Sequence, residues 1–219
     1  MILTGPAISQ AVADGKIVIT PYDEARLNDA SYDLRLGNRV AVYKATAHLP
    51  TTSELAVAKT DAERLRLLVP RHDAEPLDAA KSNELLEFQL AEGDQLLLKP
   101  GIGYLLHTAE KVLAKEHVPV LDGKSSIGRL FVSVHQTAGY GEPGFDGQWT
   151  FEVICQFPVK LYVGMRVGQM RFHVPEGEVR RYGGNYQGQD AMGPVGSRSH
   201  KQIEADVAAK RLTLRVPPA

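Results

Sequence analysis

The stretch "LLEFQLAEGDQLLLKPGIGYLLHTAEKV", residues 85–112, decides the fold class. It consists of short apolar runs of the β type, and the segments "EGD" and "PGIG" separate them. The same pattern continues through "QWTFEVICQ" (148–156), "VKLYVG" (159–164) and "VGQMRFHV" (167–174). Short strands divided by Gly and Pro turns are typical of antiparallel sandwiches and barrels, so the sequence predicts a mainly β protein.

The chain before this stretch carries a helix signal followed by strand signals. Pro6 suits the first turn of a helix and Gly15 suits the position just past its end, so we expect a short helix there. A short strand should follow it. The segment "SYDLRLG" (31–37) alternates polar and apolar residues, which predicts a half-buried strand with Asp33 and Arg35 on one face.

Residues 41–86 have the least regular pattern in the chain. Only "DAERLRLL" (61–68) indicates a helix, and the rest mixes Pro, Ala and charge without a sustained period. A length of 219 residues fits one generous domain better than two. We therefore predict a single domain over 1–219, with 41–86 as a variable insertion to which we assign no function.

Charge and cysteine content restrict the partners and the compartment. Lys+Arg 25 against Asp+Glu 26 gives a net charge of -1, so the chain lacks the basic field that gathers nucleic acid or anionic lipid. The single cysteine, Cys155, cannot form an intramolecular disulfide, which favours a reducing compartment. No run of eighteen apolar residues and no cationic leader is visible. We expect a cytoplasmic soluble protein that binds neither nucleic acid nor membrane.

Glu152 is a carboxylate inside an apolar strand. The period of two in "QWTFEVI" places Trp149, Phe151 and Val153 on one face and Glu152 on the other. An isolated strand of this kind usually exposes its acid to solvent, because carboxylates are seldom buried unless they are paired. The other interpretation is a positioned general base, and that interpretation requires partners.

The segment "DGKSSIGRL" (122–130) offers such partners. Ser125 and Arg129 lie four residues apart and share a face if the segment forms a helical turn. Ser126 and the backbone N–H groups at a helix start can bind phosphate oxygens, and Lys124 adds a positive charge. An ordinary helix N-cap explains the same residues equally well.

Several ordered motifs together resemble a known family. They are "LDGKSSIGRL", "VHQTAG" (134–139) and "EPGFDGQWTFEV" (142–153), supported by "SYDLRLG", "GMRVGQM" (164–170) and "RYGGNYQGQDAMGPVGSR" (181–198). This series resembles the dCTP deaminase branch of the dUTPase superfamily. The resemblance implies a distorted β-barrel or jelly-roll of the dUTPase type with a few short helices. It also implies a homotrimer whose active sites lie between subunits.

The resemblance also assigns roles to residues. Glu152 would be the general base that activates water for attack on C4 of cytosine, with the water held by the Ser125 hydroxyl and the Ala138 carbonyl near Arg129. The deoxycytidine nucleotide would be bound by Lys124, Ser125, Ser126 and Arg129 near the phosphates, Glu142 at the 3′-hydroxyl, Thr150, Phe151 and Glu152 at the base, and Tyr182 and Gln189 at the triphosphate. Residues 181–219 would form a C-terminal lid or tail that orders over the substrate.

We predict no metal bound by protein ligands. Zinc deaminases build their metal site from several His and Cys residues, and one cysteine cannot supply that set. A deaminase of this composition must therefore use a carboxylate. Mg²⁺ is expected to arrive on the triphosphate, held by phosphate oxygens and water.

The sequence departs from the family pattern in three ways. Gly141 and Glu142 replace an Ile-Asp pair, and lengthening that acid should hinder hydrolysis of dUTP. Asn185 stands where the family normally has a Lys near the phosphates. Gly139 and Tyr140 replace the His-Arg pair of members that only deaminate, which is the pattern of the bifunctional and dUTPase members.

Three functions remain open from the sequence. The leading hypothesis is a dCTP deaminase that forms dUTP and ammonia. The second is a dUTP diphosphatase or bifunctional enzyme that gives dUMP and pyrophosphate. The third is a relative that binds nucleotides, or modified nucleotides, without this chemistry, because a fold does not fix a function.

Overall fold

A computed structural model describes residues 1–51, 53–189 and 193–214, and it confirms the mainly β fold. The strands are β1 (Ile17–Thr20), β2 (Tyr32–Arg35), β3 (Arg39–Tyr43), β4 (Ala47–His48), β5 (Val69–Pro70), β6 (Leu85–Gln89), β7 (Gln95–Leu98), β8 (Tyr104–Ala114), β9 (Val118–Gly123), β10 (Val132–Ser133), β11 (Asp146–Cys155), β12 (Val159–Tyr162) and β13 (Arg166–His173). The helices are α1 (Gly5–Ala13), α2 (Ser53–Val57), α3 (Asp61–Leu67), α4 (Ser125–Gly128) and α5 (Ser199–Ala208).

Two antiparallel sheets build the body of the protein. The larger sheet has the order β10-β11-β8-β3-β6, and β1 also pairs with β8. The smaller sheet has the order β2-β13-β9. Side chains from both sheets, such as Phe151 and Phe172, belong to one apolar core cluster. The chain therefore closes two sheets around a single core, as the strand pattern predicts.

The local helix predictions agree with the structure. Helix α1 has Pro6 in its first turn, and Gly15 just beyond its end has a φ of +67°. That φ lies in the left-handed region that glycine adopts without a steric cost. Helix α3 begins with a capping box in which Thr60 and Glu63 satisfy each other's backbone N–H groups.

The half-buried strand predicted at 31–37 is wrong in one respect. Asp33 in β2 is only 1% exposed, and its neighbours Tyr32 and Leu34 are buried as well, so the strand is buried on both faces. Its carboxylate accepts hydrogen bonds from Asn28, Lys124 and Arg166. Burial alone would raise the pKa of Asp33, but these bonds and the nearby positive charges lower it overall. Cations from distant parts of the chain thus allow an acid to be buried in this strand.

Residues 41–86 contribute to the main sheet at both ends. The segment begins within β3 and ends within β6, and these two strands pair with each other. Between them lie α2, α3 and the two-stranded pair of β4 and β5. Leu65 and Leu68 anchor the middle of the segment in the core.

A buried ion network joins the larger sheet to the smaller one. Glu110 of β8 is 0% exposed, and its Oε1 accepts hydrogen bonds from Arg26 Nη1 at 2.7 Å and Arg35 Nε at 2.8 Å. Its Oε2 accepts the backbone N–H of Arg35 in β2 at 2.8 Å. Removal of one partner from such a network destabilises the folded state, because it leaves the other partner as a buried charge without its counter-ion.

We therefore expect Glu110→Ala to lower the free energy of unfolding by about 3–5 kcal/mol, since Arg35 loses its counter-ion and Arg26 keeps only Asp23. Urea denaturation followed by circular dichroism measures this change. Glu84→Gln is the control, because Glu84 pairs with Lys44 at the surface and its loss should leave the midpoint in place. A Glu110→Ala midpoint equal to that of Glu84→Gln would show that the network does not hold the sheets together.

Candidate active site

Strand β11 determines where Glu152 points. Its residues alternate between core and cleft, with Trp149, Phe151 and Val153 buried and Glu152 partly exposed. Strand β8 fixes the register by pairing Leu105 with Glu152. On the other side, the backbone N–H of Glu152 donates to Val134 O at 3.2 Å. The predicted alternation is confirmed, and the Glu152 side chain faces outward with 39% exposure.

A cleft of about 660 Å³ opens over this outward face. Six of the predicted site residues line it together: Ala138, Glu142, Thr150, Glu152, Tyr182 and Gln189. Residues that the sequence did not single out also line it, namely Tyr43, Leu105, Gln136, Gln148, Tyr186, Val195 and Ser197. The motif spacing alone could not reveal Tyr43 or Val195, because they reach the cleft from distant parts of the chain.

The Glu152 carboxylate is held by the segment that precedes β11. The backbone N–H of Gln136 donates to Glu152 Oε2 at 3.2 Å, and Gln136 Nε2 donates to the Glu152 carbonyl at 2.9 Å. His135 Nδ1 lies 3.8 Å from the same Oε2, and neither ring nitrogen of His135 has a hydrogen-bond partner in the described part of the chain. These contacts fix the carboxylate at the wall of the cleft.

The C-terminal segment lies against β11. Gln189 Nε2 donates to Thr150 Oγ1 at 2.6 Å, and the Gln189 carbonyl accepts the backbone N–H of Gln148 at 2.5 Å. A Cβ at Gly147 would lie 2.6 Å from Gln189 O, so only glycine permits this approach. The Gly-rich tail is therefore docked through contacts within its own chain, and it places Tyr182 and Gln189 at the cleft. Part of the predicted lid, residues 190–192 and 215–219, lies outside the described residues.

The predicted phosphate-binding segment lies elsewhere in the chain. Ser125 opens α4 as predicted, and Ser125, Ser126 and Arg129 are exposed, but none of them lines the cleft. Lys124 is partly buried and donates from Nζ to Asp33 Oδ1 at 2.5 Å. Lys124 is likewise not among the described lining residues of the cleft.

The Phe151 side chain does not reach the cleft. It is 0% exposed and packs in the core, because alternation turns it away from Thr150 and Glu152. Phe151, which the resemblance places at the base, is therefore not among the described lining residues of the cleft.

The described wall of the cleft is acidic. Glu142 and Glu152 line it, and neither a Lys nor an Arg is among its described lining residues. Aromatic rings make up much of the remainder, and Phe145 packs edge to face against both Trp149 and Tyr182. Such a cavity suits a planar ring with hydrogen-bonding edges, but it cannot neutralise several phosphate charges without added cations.

Two of the departures from the family pattern have a steric explanation. A Cβ at Gly139 would lie 2.4 Å from Leu121 O, so the loop has no space for the His of deaminase-only members. A Cβ at Gly141 would lie 2.0 Å from Cη2 of Trp149. The indole ring therefore occupies the space that the Ile of the family pattern would need. Trp149 serves both the core and the cleft wall, and it is 9% exposed.

No group of three or more His, Cys, Asp or Glu side chains in the described ranges is arranged to hold a metal ion. In the same part of the chain, no helix has the length and apolarity needed to cross a membrane. Burial raises the pKa of the Cys155 thiol, which keeps it in the protonated form.

The sequence and fold match known proteins. A family model described as dCTP deaminase-like matches residues 2–174. A relative named "dCTP deaminase, dUMP-forming" from Cytophaga hutchinsonii is 36% identical over 195 residues, which cover 89% of this chain and 95% of the relative. One of the same name from Leptospira biflexa is 37% identical over 195 residues, covering 89% of this chain and 94% of the relative.

The fold is similar to a solved structure. It is that of 2′-deoxycytidine 5′-triphosphate deaminase from Agrobacterium tumefaciens, with a TM-score of 0.51 and 22% identity. The match covers 80% of this chain and 48% of that chain, so this chain spans about half its length. At this identity the similarity concerns the fold.

We expect Gly141→Ala to lower the free energy of unfolding by about 1–3 kcal/mol, because the new methyl group collides with the indole of Trp149. The same substitution in a Trp149→Leu background should cost much less, since the smaller side chain leaves space. Urea denaturation of the four proteins measures the coupling. Gly183→Ala is the control, because a Cβ there meets nothing within 4 Å. Equal costs in both backgrounds would contradict the packing explanation.

Proposed function

Since the chain belongs to the dCTP deaminase-like family, we propose that it hydrolyses the 4-amino group of dCTP and releases ammonia. The observation that carries this proposal is the position of Glu152 at the wall of an aromatic cleft beside Ala138 and Thr150. Relatives that share over a third of their residues with this chain are named for deamination of dCTP. The cleft also has the size of a nucleoside-binding pocket.

In the proposed reaction, Glu152 takes a proton from a water molecule as the water oxygen forms a bond to C4 of cytosine. The carboxylic acid then delivers that proton to N3, and a second proton from the adding water reaches the amino group. The C4–N4 bond breaks, ammonia leaves and a uracil carbonyl remains. A positioned carboxylate performs each transfer, which is ordinary general acid-base chemistry. The hydrogen bond from Gln136 N–H orients Oε2 for this task.

The product pattern that we favour is dUMP with pyrophosphate. The relatives bear the name "dUMP-forming", and Gly139 follows the pattern of the bifunctional members. A side chain at position 139 would collide with Leu121 O, so the backbone of this loop requires the glycine that the bifunctional pattern has there. The longer acid at Glu142 acts in the opposite direction, and we expect it to slow the cleavage of the α–β phosphate bond. Release of dUTP as the final product is the alternative.

We further propose that the site is completed by a second copy of the chain in a homotrimer. The cleft supplies two carboxylates, whereas the exposed Ser125 and Arg129, next to the partly buried Lys124, supply a hydroxyl and a cation outside its described lining. In the proposed reaction, the base of a nucleoside triphosphate needs a carboxylate of the cleft. Its phosphates carry several negative charges and therefore need the cations of the α4 segment. A neighbouring chain that brings its α4 segment to the cleft would satisfy this need, with Ser125 and Ala138 together holding the water.

Mg²⁺ is proposed to enter on the triphosphate. It would neutralise phosphate charge and hold the chain of phosphates in one conformation when bound. Phosphate oxygens and water molecules suffice as its ligands, so no protein residue is assigned to it. Arg129, Lys124 and Tyr182 would orient the same phosphates from the protein side.

We expect Glu152→Gln to reduce ammonia release from dCTP by about a hundredfold to ten-thousandfold, because the amide cannot accept the proton from water. The measurement follows ammonia and pyrophosphate separately with dCTP, dCMP and dUTP in Mg²⁺. Glu176→Gln, at an exposed acid outside the cleft, is the matched control and should react like the natural sequence. Undiminished ammonia release by Glu152→Gln would refute its role as base. No ammonia from the natural sequence would favour a binding protein.

We expect two inactive variants to restore activity when they share one trimer. Glu152→Gln inactivates the cleft of its own chain, and Arg129→Ala inactivates the α4 segment that a chain contributes to its neighbour. In a mixed trimer, one site combines the intact cleft of an Arg129→Ala chain with the intact α4 segment of a Glu152→Gln chain. Random mixing by joint refolding should recover about a quarter of the natural activity. Gel filtration gives the subunit number, and each variant refolded alone is the control. Activity that stays at the level of the separate variants would place the whole site within one chain.

A further inference from the structure

A cation lies beside the position where the family pattern has lost one. Asn185 stands in place of a Lys, and its backbone carbonyl accepts a hydrogen bond from Nη1 of Arg198. The Arg198 guanidinium also lies over the ring of Tyr186, 5.5 Å from its centroid. The Arg198 backbone N–H donates to the Tyr186 hydroxyl at 2.9 Å. Three contacts therefore hold Arg198 on the turn that carries Asn185.

The positive charge of Arg198 is not neutralised within the described residues. No Asp or Glu side chain in the described ranges forms an ion pair with it, whereas Arg211 of the same C-terminal segment pairs with Asp206 at 2.7 Å. A guanidinium has five N–H donors, and its contacts with a carbonyl and a ring leave most of them available. An oriented guanidinium with free donors is suited to bind phosphate oxygens.

The position of Arg198 is at the rim of the cleft. Tyr186, which lies beneath it, and Ser197, which precedes it, both line the cavity. The segment is held there from a third direction, because the Ser197 backbone N–H donates to the Tyr43 hydroxyl at 2.8 Å and Ser199 Oγ donates to Ala79 O at 2.7 Å. Both acceptors belong to the segment 41–86 that had no assigned function. Segment 41–86 therefore holds the C-terminal segment that carries Arg198 in position.

We propose that Arg198 binds the outer phosphates of the nucleotide and supplies the cation that Asn185 does not. The inference rests on the proposed function, because it takes the ligand to be a triphosphate whose base lies at Glu152. Tyr182 lies in the same turn region, since its hydroxyl accepts the backbone N–H of Tyr186 at 3.2 Å. The described lining of the cleft contains no Lys or Arg, so Arg198 would add a positive charge from the same chain to those that a second chain brings. Pre-organisation by Tyr186 reduces the entropy that Arg198 loses when it binds phosphate.

The test uses tripolyphosphate as the probe, since it presents the phosphates without the base or the reaction. Isothermal titration of the full chain should show binding that Arg198→Gln weakens by about tenfold to a hundredfold, as expected for loss of a charge-assisted contact. Asn185→Lys in the Arg198→Gln background should return most of the affinity, because it restores a cation on the same turn. Arg211→Gln is the matched control and should bind like the natural sequence.

Activity measurements add a second readout with dCTP and dCMP. Arg198→Gln should raise KM for dCTP with little change in kcat, and it should leave dCMP turnover at the natural level. Circular dichroism melts check that each variant is folded, and Arg198→Lys, which keeps the charge, should retain intermediate affinity.

Unchanged tripolyphosphate affinity in folded Arg198→Gln would overturn the assignment. If Asn185→Lys did not restore the tripolyphosphate affinity lost in Arg198→Gln, the idea that Arg198 replaces the cation missing at position 185 would be wrong. Failure of the proposed function has a different signature: tripolyphosphate binding would still depend on Arg198 while dCTP released no ammonia.

Discussion

The alternation of side chains along β11 is the constraint on which the candidate site depends. Burial of Trp149, Phe151 and Val153 stabilises the strand between β8 and β10, and the pleat then turns Thr150 and Glu152 to the opposite face. A shift of one residue would bury Glu152 and expose the aromatic rings. The free energy of the core thus holds a carboxylate at the surface of a cleft, without any dedicated binding element.

The charges of one chain are divided between two surfaces. The cleft has two carboxylates, while the cationic segment with Lys124 and Arg129 lies at α4 beyond β9. Asp33 holds Lys124 at its position, and this carboxylate is itself buried and fully paired. The division keeps the acid of the cleft and the cations of α4 from neutralising each other within one chain. It is also the physical reason for our proposal that two chains build one site.

The departures from the family pattern are parts of a packing arrangement. Gly139 and Gly141 allow one loop to approach Leu121 and Trp149 more closely than any larger residue could. The large indole and the missing side chain at 141 compensate each other in volume. Asn185 likewise has a neighbour in space that can compensate for it. Arg198 contacts its backbone carbonyl and can supply the positive charge of the Lys that the family pattern has at position 185. Substitutions that look independent along the sequence are adjacent in the folded chain.

The elements whose causes are local could be predicted from the sequence. The period of two in "QWTFEVI" predicted the face of Glu152, Pro6 and Gly15 predicted α1, and the motif order predicted the family. It did not predict that Asp33 is buried or that Tyr43 and Ser197 reach the cleft, because these positions depend on cations and strands far away in the chain. Only the tertiary structure decided which predicted site residues meet. Strand patterns arise from neighbours in sequence, whereas a site arises from the long-range pairing of strands, which local periodicity does not encode.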